Sequence, residues 1–456
     1  MVLIVGADST PVNLSFRLAY LVISVYLLGY GLFRSPILKE LRRSLMGSSI
    51  KEMASGRLST PSRLIPGISL ILFWFIYAIR LVYDLEYKEW QFREYSNIYV
   101  YTWSFGCTLI PALAVLLNIG AAEAKGLSTK TVMFVVLVTL LIALILLFIY
   151  KSNISAIFNT RSAIVLTGEV KLRGQHVLNG ITMSFYGALT LLTATTWFIF
   201  LLHRLSIFKT LFFVLCCLLG IFVLMAGASR GPFLDLVLIS AGLVGIACFS
   251  YIRRLIQYVK HQISEKRQDR YSSTMEPVAG KSLVYKPLMI LLAVFMLFTV
   301  ANKTAKQFNI SWQDLALVNR LDKALDENKD RNTTFRIDAW ESAWHQFTIN
   351  PVFGDSIIND VGYFYSHNIF MDALMSVGIV GTIPFLVWFF LSFWYFIRLP
   401  AYRKRELSVL FVAYLAALLL SMTSGGIFTV PEVWILSAAV IGLSQKYLLD
   451  EERTKS

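Results

Sequence analysis

The segment TVMFVVLVTLLIALILLFIY, residues 131–150, decides the fold. It holds no charged side chain across its whole length. A helix needs about 20 such residues to cross the hydrocarbon core of a bilayer. Working outward, comparable apolar runs recur at roughly 13–33, 64–83, 97–120, 181–203, 210–229, 232–252, 287–302, 379–397, 407–423 and 432–447. The reading is therefore an all-α integral membrane protein, a polytopic bundle of about 11 (10–12) transmembrane helices. Across the 456 residues, 56% are apolar and 15% charged, with a mean hydropathy of +0.63. That balance excludes a soluble globular domain, a disordered chain and a fibrous one.

The net charge of +14 comes from 42 Lys and Arg against 28 Asp and Glu. In a soluble protein it would suggest nucleic acid, but in a membrane protein it reflects basic cytoplasmic loops. Residues 34–63, 253–286 and 398–406 are the most basic connections, and the alternation of spans puts all three on one side. That side is then cytoplasmic, with the C-terminus inside and the N-terminus outside. No nucleic-acid partner is expected, and the lipid bilayer is the obligatory one. Arg17 interrupts the first apolar run and no small-residue cleavage site follows, so no cleavable signal peptide is expected. The four cysteines, Cys107, Cys216, Cys217 and Cys248, all fall within apolar runs without metal-ligand spacing. No metal site and no cofactor is expected.

Three connections remain on the outer side: an acidic, aromatic one at 84–96, a basic one at 151–180, and a long one at 303–367. The long loop is rich in aromatic residues and is expected to be folded, with short helices of its own. The organisation divides accordingly into an N-terminal transmembrane bundle (1–302), the long outer loop (303–367) and C-terminal transmembrane helices (368–456).

The residues with chemistry to offer lie at helix ends on this outer side. Arg230, in Ser229-Arg230-Gly231-Pro232, sits between two apolar runs. An arginine there is either a clamp for an anionic ligand or a snorkelling interface residue. A helix is expected after Thr333 or Thr334, ending at Asn350-Pro351, with Arg336, Trp340, Trp344 and Phe347 on one face. Asp338, Glu341 and His345 share another, solvated face, from which Glu341 is a loose candidate to steady Arg336. An arginine on an aromatic face calls for an anionic partner or a structural salt bridge. His367 precedes a short helix that ends at Gly378, with Ser366 or Asn368 as its N-cap. The helix dipole disfavours a charged imidazole there, and a neutral one can accept a proton from a hydroxyl. Arg161, Lys171, Arg173 and His176 form a further basic patch that attracts either anions or headgroups. Two fixed guanidiniums and a neutral base suit a lipid pyrophosphate leaving group and a sugar hydroxyl acceptor.

In this order and topology, Ser229-Arg230-Gly231, the Arg336-x-x-x-Trp340 helix ending in Asn350-Pro351-x-x-Gly354, His367-Asn368-x-Phe370 and Gly378-Ile379-Val380-Gly381 resemble the O-antigen ligase and O-antigen polymerase superfamily. The motif-bearing stretch covers roughly residues 160–385. The resemblance implies a GT-C-like, inverting, metal-independent glycosyltransferase of the bacterial inner membrane. Its active site would face the periplasm, with an undecaprenyl-diphosphate-linked glycan as donor and another as acceptor, and a chain-length regulator protein as a further partner. The family's arginines match Arg230 and Arg336, which would hold the diphosphate, with Arg173 as an added candidate. Its histidine matches His367, the base. Trp340, Trp344, Tyr363 and Tyr365 would stack on sugars or anchor at the interface. Arg173-Gly174 followed by Leu178-Asn179-Gly180-Ile181 resembles the polymerase pattern more than the Gly-Asn-Pro-Asn motif of ligases. A polymerase is therefore expected ahead of a ligase acting on lipid A-core. A flippase or transporter of lipid-linked sugars competes from another class, although the spans are largely free of charge.

Overall fold

The computed structural model describes residues 11–34, 60–88, 97–119, 126–151, 156–159, 164–165, 176–178, 180–201, 207–243, 245, 256, 316–317, 331–360 and 365–455. Among the expected features, the span at 287–302, most of the basic connections at 34–63 and 253–286, and the residues Arg161, Lys171, Arg173 and Tyr363 lie outside these.

Among the described residues, and apart from a single turn at Ala156–Asn159, the helices are α1 (Pro11–Arg34), α2 (Thr60–Tyr87), α3 (Asn97–Asn118), α4 (Leu127–Ile149), α5 (Gly180–Leu201) and α6 (Ile207–Gly227). They continue with α7 (230–243), α8 (Arg331–Ile349), α9 (Ile369–Arg398), α10 (Ala401–Ser424) and α11 (Pro431–Lys455). Seven of them, α2 to α6, α9 and α10, are long and apolar enough to cross a membrane. The chain is thus an all-α, multi-pass membrane protein. Its strands among the described residues are a two-stranded antiparallel ladder, β1 (Ile164–Val165) and β2 (His176–Leu178). Helices dominate because a chain in hydrocarbon must satisfy its backbone N–H and C=O groups within each segment.

Inside a bilayer, helices associate through close packing and interhelical hydrogen bonds rather than through escape from water. The core shows both. The rings of Phe73 (α2), Phe385 (α9) and Trp434 (α11) meet with centroids 5.2–5.8 Å apart. Trp388 donates its indole N–H to Ser437 Oγ at 2.9 Å, and Ser392 and Tyr414 share a hydrogen bond of 2.7 Å. Between α5 and α6 the backbones nearly touch: a Cβ on Gly187 would stand 2.6 Å from the Gly220 carbonyl oxygen. Helix α3 carries a π-helical stretch at Thr102–Leu109, where Thr108 Oγ1 donates back to the Trp103 carbonyl at 2.9 Å.

Contacts between elements sort the helix ends into two groups. At one end, Arg80 near the end of α2 reaches residues 353–355, and the start of α5 meets Ser229 through Ser184. At the other, the start of α4 meets the start of α10 (Ser128 Oγ donates to the Glu406 carbonyl), and Arg403 lies over the Tyr447 ring near the end of α11. Asn118 there donates to the Leu27 carbonyl at 2.7 Å. Each pairing joins ends that the alternation of spans places on the same side.

Candidate functional site

Of the residues singled out in the sequence, Arg336, His367 and the Ser229-Arg230-Gly231 turn gather at the first of these ends. Arg336 is in the second turn of α8, and its Nη2 donates to Ser424 Oγ at the C-terminal end of α10, 3.1 Å away. Ser424 is neutral, so this bond orients the guanidinium without cancelling its charge. Gly231 faces the same place: a Cβ there would lie 3.2 Å from Thr423 Oγ1 and 3.8 Å from Ser424 Oγ. The Ser229-Arg230-Gly231 turn therefore abuts the end of α10 that Arg336 reaches. Helix α6 ends at Gly227 and α7 begins at Arg230, so Pro232 falls within the first helical turn, where proline is well placed. Ser229 N–H donates to Ser184 Oγ at 3.0 Å, which fixes the turn to α5.

His367 completes the group. Its ring stands 5.5 Å from that of Phe335, which neighbours Arg336 in the chain, and 4.5 Å from that of Tyr365. Burial, and then the charge of Arg336, lower its pKa from 6.5 to about 4. The imidazole is accordingly neutral at pH 7. The sequence points to a neutral imidazole through the helix dipole, whereas the leading causes here are desolvation and a neighbouring cation. Asn368 is the N-cap of α9, its Oδ1 accepting from Phe370 N at 3.0 Å and Met371 N at 3.2 Å. His367 has φ 60°, and Ala228, just before Ser229, has φ 45°. Among the described residues these are the two non-glycine positions in the left-handed region, and both border the proposed site.

Asp372, in the first turn of α9, ties the parts together. Its Oδ1 accepts from Ser366 N at 2.7 Å, and its Oδ2 accepts from Ile427 N at 3.2 Å. One carboxylate thus holds the loop that carries His367 and the turn that follows Ser424.

A second cluster supports the loop between α8 and α9. Gly354 (φ 72°) and Gly378 (φ 56°) face each other; a Cβ on Gly354 would stand 2.6 Å from Val377 N, and one on Gly378 2.5 Å from Gly354 N. Gly378 breaks α9, as its place after the short helix suggests. The amides freed by the break are satisfied: Ile379 N donates to Pro351 O at 2.8 Å and Val380 N to Val352 O at 3.1 Å. Arg80 donates to the carbonyls of Phe353 (3.1 Å), Gly354 (2.6 Å) and Asp355 (2.7 Å). Asp84, fully buried, accepts from Ile357 N at 2.7 Å between Arg80 and Lys88, which lie 3.7 and 3.8 Å from it. Gln346 and Asn350 hold the Asp355 carboxylate at 3.2 and 3.1 Å. The Asn-Pro-x-x-Gly and Gly-Ile-Val-Gly motifs are therefore two halves of one buckle. Close by, burial pushes up the pKa of Asp360.

The face assignment on α8 needs one refinement. Ala339, Ala343 and Gln346 are buried and Trp340 is half-buried, but Trp344 is 51% exposed. Eight residues of α-helix turn about 80° past two full turns, which carries Trp344 to the outer edge of the face that Arg336 shares. Trp344 packs there on Phe347, with ring centroids 5.2 Å apart. The Trp340 indole N–H is buried without a hydrogen-bond partner among the described residues. Asp338, Glu341 and His345 are exposed, as a solvated face requires, and Arg336 bonds to Ser424 from the opposite side.

Sequence reasoning missed Asp372, Ser424 and the Arg80–Asp84–Lys88 group as contributors to this end of the molecule. A signal was present in Thr423-Ser424-Gly425-Gly426, small polar residues that interrupt two apolar runs.

No curated protein matches the sequence closely enough to serve as a relative. Residues 215–386 match the family model described as O-antigen ligase. That match spans Arg230, Arg336, His367, Asp372 and both halves of the buckle. Over this segment, the chain is similar to the O-antigen ligase family, in support of the resemblance read from its motifs.

Proposed function

We propose that the chain polymerises undecaprenyl-diphosphate-linked oligosaccharide repeat units into a surface polysaccharide, at the periplasmic face of the bacterial inner membrane. The family match supports glycan ligation or polymerisation in a membrane setting. The observation that carries the finer reading is the convergence of Arg336, His367 and the Ser229–Gly231 turn at the end of α10.

In this reading Arg336 and Arg230 hold the donor's diphosphate, with Arg173 as a third contributor. The first-turn amides of α7 reinforce Arg230, since helix N-termini attract phosphate. The neutral His367 takes the proton of the acceptor's hydroxyl as its oxygen bonds to the donor's anomeric carbon. The bond from that carbon to the diphosphate breaks, and the negative charge that builds on undecaprenyl diphosphate is met by the two guanidiniums. Attack from the side opposite the leaving group inverts the anomeric carbon. Trp340 and Tyr365, with Trp344 and Tyr363, offer aromatic faces to sugar rings. The orientation rests on the basic connections at 34–63, 253–286 and 398–406, which point to the cytoplasm.

A second reading, a ligase that passes a finished glycan to lipid A-core, is favoured by the description of the matched family model. The experiment that separates them supplies purified protein in nanodiscs with the host's undecaprenyl-diphosphate-linked repeat unit and sizes the products by gel and mass spectrometry. A ladder of repeats that vanishes in Arg336→Ala and His367→Ala supports polymerisation. Product formed in a single transfer, and only once lipid A-core is added, replaces it with ligation. No product from folded protein under either condition defeats both.

A further inference from the structure

The carboxylate of Asp372 is 4% exposed and sits at the crossing point of two segments that are far apart in the chain. One arm accepts from Ser366 N, the residue before His367, and the other accepts from Ile427 N, three residues beyond Ser424. Each segment also has its own local braces. Ser366 Oγ donates to Asn368 O at 2.9 Å, and Asn368 caps α9. On the other side Thr429 Oγ1 accepts from Gly426 N at 2.7 Å, and Trp434 Nε1 donates to Ile427 O at 2.8 Å. These braces shape each segment separately, whereas Asp372 bonds to both. The left-handed backbone of His367 lies directly beside the anchored amide, so the imidazole's direction depends on that anchor. The 425–427 turn in turn fixes Ser424, which orients Arg336.

We infer that Asp372 is a positioning residue for the proposed transfer: it holds the His367 loop and the Gly425–Ile427 turn at one spacing, so that base and diphosphate-binding guanidinium address the same anomeric centre. This rests on the reading of His367 as the base. The carboxylate itself touches neither donor nor acceptor. Its contribution is geometric, and displacing a reacting group by about 1 Å costs on the order of 100-fold in rate.

The test uses the full chain in nanodiscs with the host's undecaprenyl-diphosphate-linked repeat unit, measuring kcat, donor Kd and thermal midpoint. Asp372→Asn offers one acceptor oxygen instead of two and turns an N–H toward one of the amides. It is expected to lower kcat by about 100-fold while donor Kd changes by less than about threefold. In a His367→Ala background, the same substitution is expected to cost less than about threefold more, because residues acting through one another are not additive. A merely structural role would lower both backgrounds alike, and that result overturns the inference. So does an Asp372→Asn protein with kcat within about threefold of the parent. Should Asp372→Asn fail to fold, Gly426→Ala serves: its Cβ would stand 2.8 Å from that of Tyr365 and press on the Asp372 carboxylate without removing it. A kcat loss of about tenfold that disappears in the His367→Ala background supports the inference, and one that persists there overturns it. Full activity in His367→Ala alone defeats the base assignment and this inference with it, whereas the other failures defeat positioning alone.

Discussion

The two ends of the bundle are built differently. At the end that carries Arg336 and His367, the cross-links are long-range and directed at backbone. Arg80 reaches carbonyls 273–275 residues away, Asp84 takes an amide 273 away, and Asp372 one 55 away. At the end that carries residues 398–406, distant backbone is reached only by neutral side chains among the described residues, Ser128 to the Glu406 carbonyl and Asn118 to the Leu27 carbonyl, while the charged groups pair locally: Arg403 with Glu406 at 2.9 Å and Lys446 with Asp450 at 3.9 Å, three and four residues apart. Local pairs on a helix surface add little, about 0.3–0.5 kcal/mol each. Buried groups that satisfy distant backbone hold loops where packing alone would leave them free. The contrast teaches that charged side chains decorate single helices at one end and lock distant loops in place at the other.

The largest test of that contrast is chemical. Arg336→Ala and His367→Ala are each expected to lower glycan transfer by about a thousandfold with the fold retained, measured as product ladder against thermal midpoint. Retained activity in both would leave the contrast without a functional meaning. Acidity sharpens it next. An ordinary histidine loses its basic form as pH falls through 6.5, but His367 is held neutral down to about 4. We therefore expect kcat/KM to stay level from pH 8 to 5 and to fall only as pH approaches 4. Stability follows the same sign: the unfolded chain takes up a proton near 6.5 and the folded one does not until about 4, so stability declines across that window as pH falls. In kcat, which reports the donor complex, the limb is expected at higher pH, because a bound diphosphate offsets the Arg336 charge. A kcat/KM limb at 6.5 would mean that His367 is hydrated and ordinary.

The structural consequences are smaller. Gly378→Ala forces a side chain into the left-handed region and against Gly354, and is expected to destabilise by about 2–4 kcal/mol, read as a fall in thermal midpoint. Arg80→Ala removes three charge-assisted bonds to the 353–355 carbonyls, a loss of about 2–3 kcal/mol by the same readout, with slower transfer. Smallest is Arg403→Ala at the opposite end, expected to cost less than about 1 kcal/mol and to leave transfer unchanged. Were Arg403→Ala to slow transfer as Arg80→Ala does, the two ends would not differ in kind.

The spans were legible because a bilayer imposes one length and one polarity on each, and periodicity reads both. Arg230, Arg336 and His367 stood out for a related reason: polar groups at the borders of apolar runs are rare. Asn368 as a cap and Gly378 as a break follow from local chemistry, within four residues of chain. Asp372 looks like any acidic residue in a first helical turn, and nothing near it in the chain reveals Ile427 as its partner. Arg80 and Asp84 were hidden by the same distance, and the π-helical stretch of α3 follows a periodicity that sequence patterns do not separate from an ordinary helix. Trp344 lies at the edge of its face because successive four-residue steps drift by about 40° each, which spacing alone does not reveal.

The buckle between Pro351–Val352 and Ile379–Val380 bears on biosynthesis. As the chain leaves the ribosome, the carbonyls at 351 and 352 precede the amides at 379 and 380 by fewer than thirty residues. The broken stretch of α9 would otherwise enter the bilayer with two bare N–H groups, which hydrocarbon penalises heavily. Their acceptors are already made when they emerge, so this hairpin can close during insertion and hand a finished ledge to α10 and the Gly425–Ile427 turn, which emerge after it.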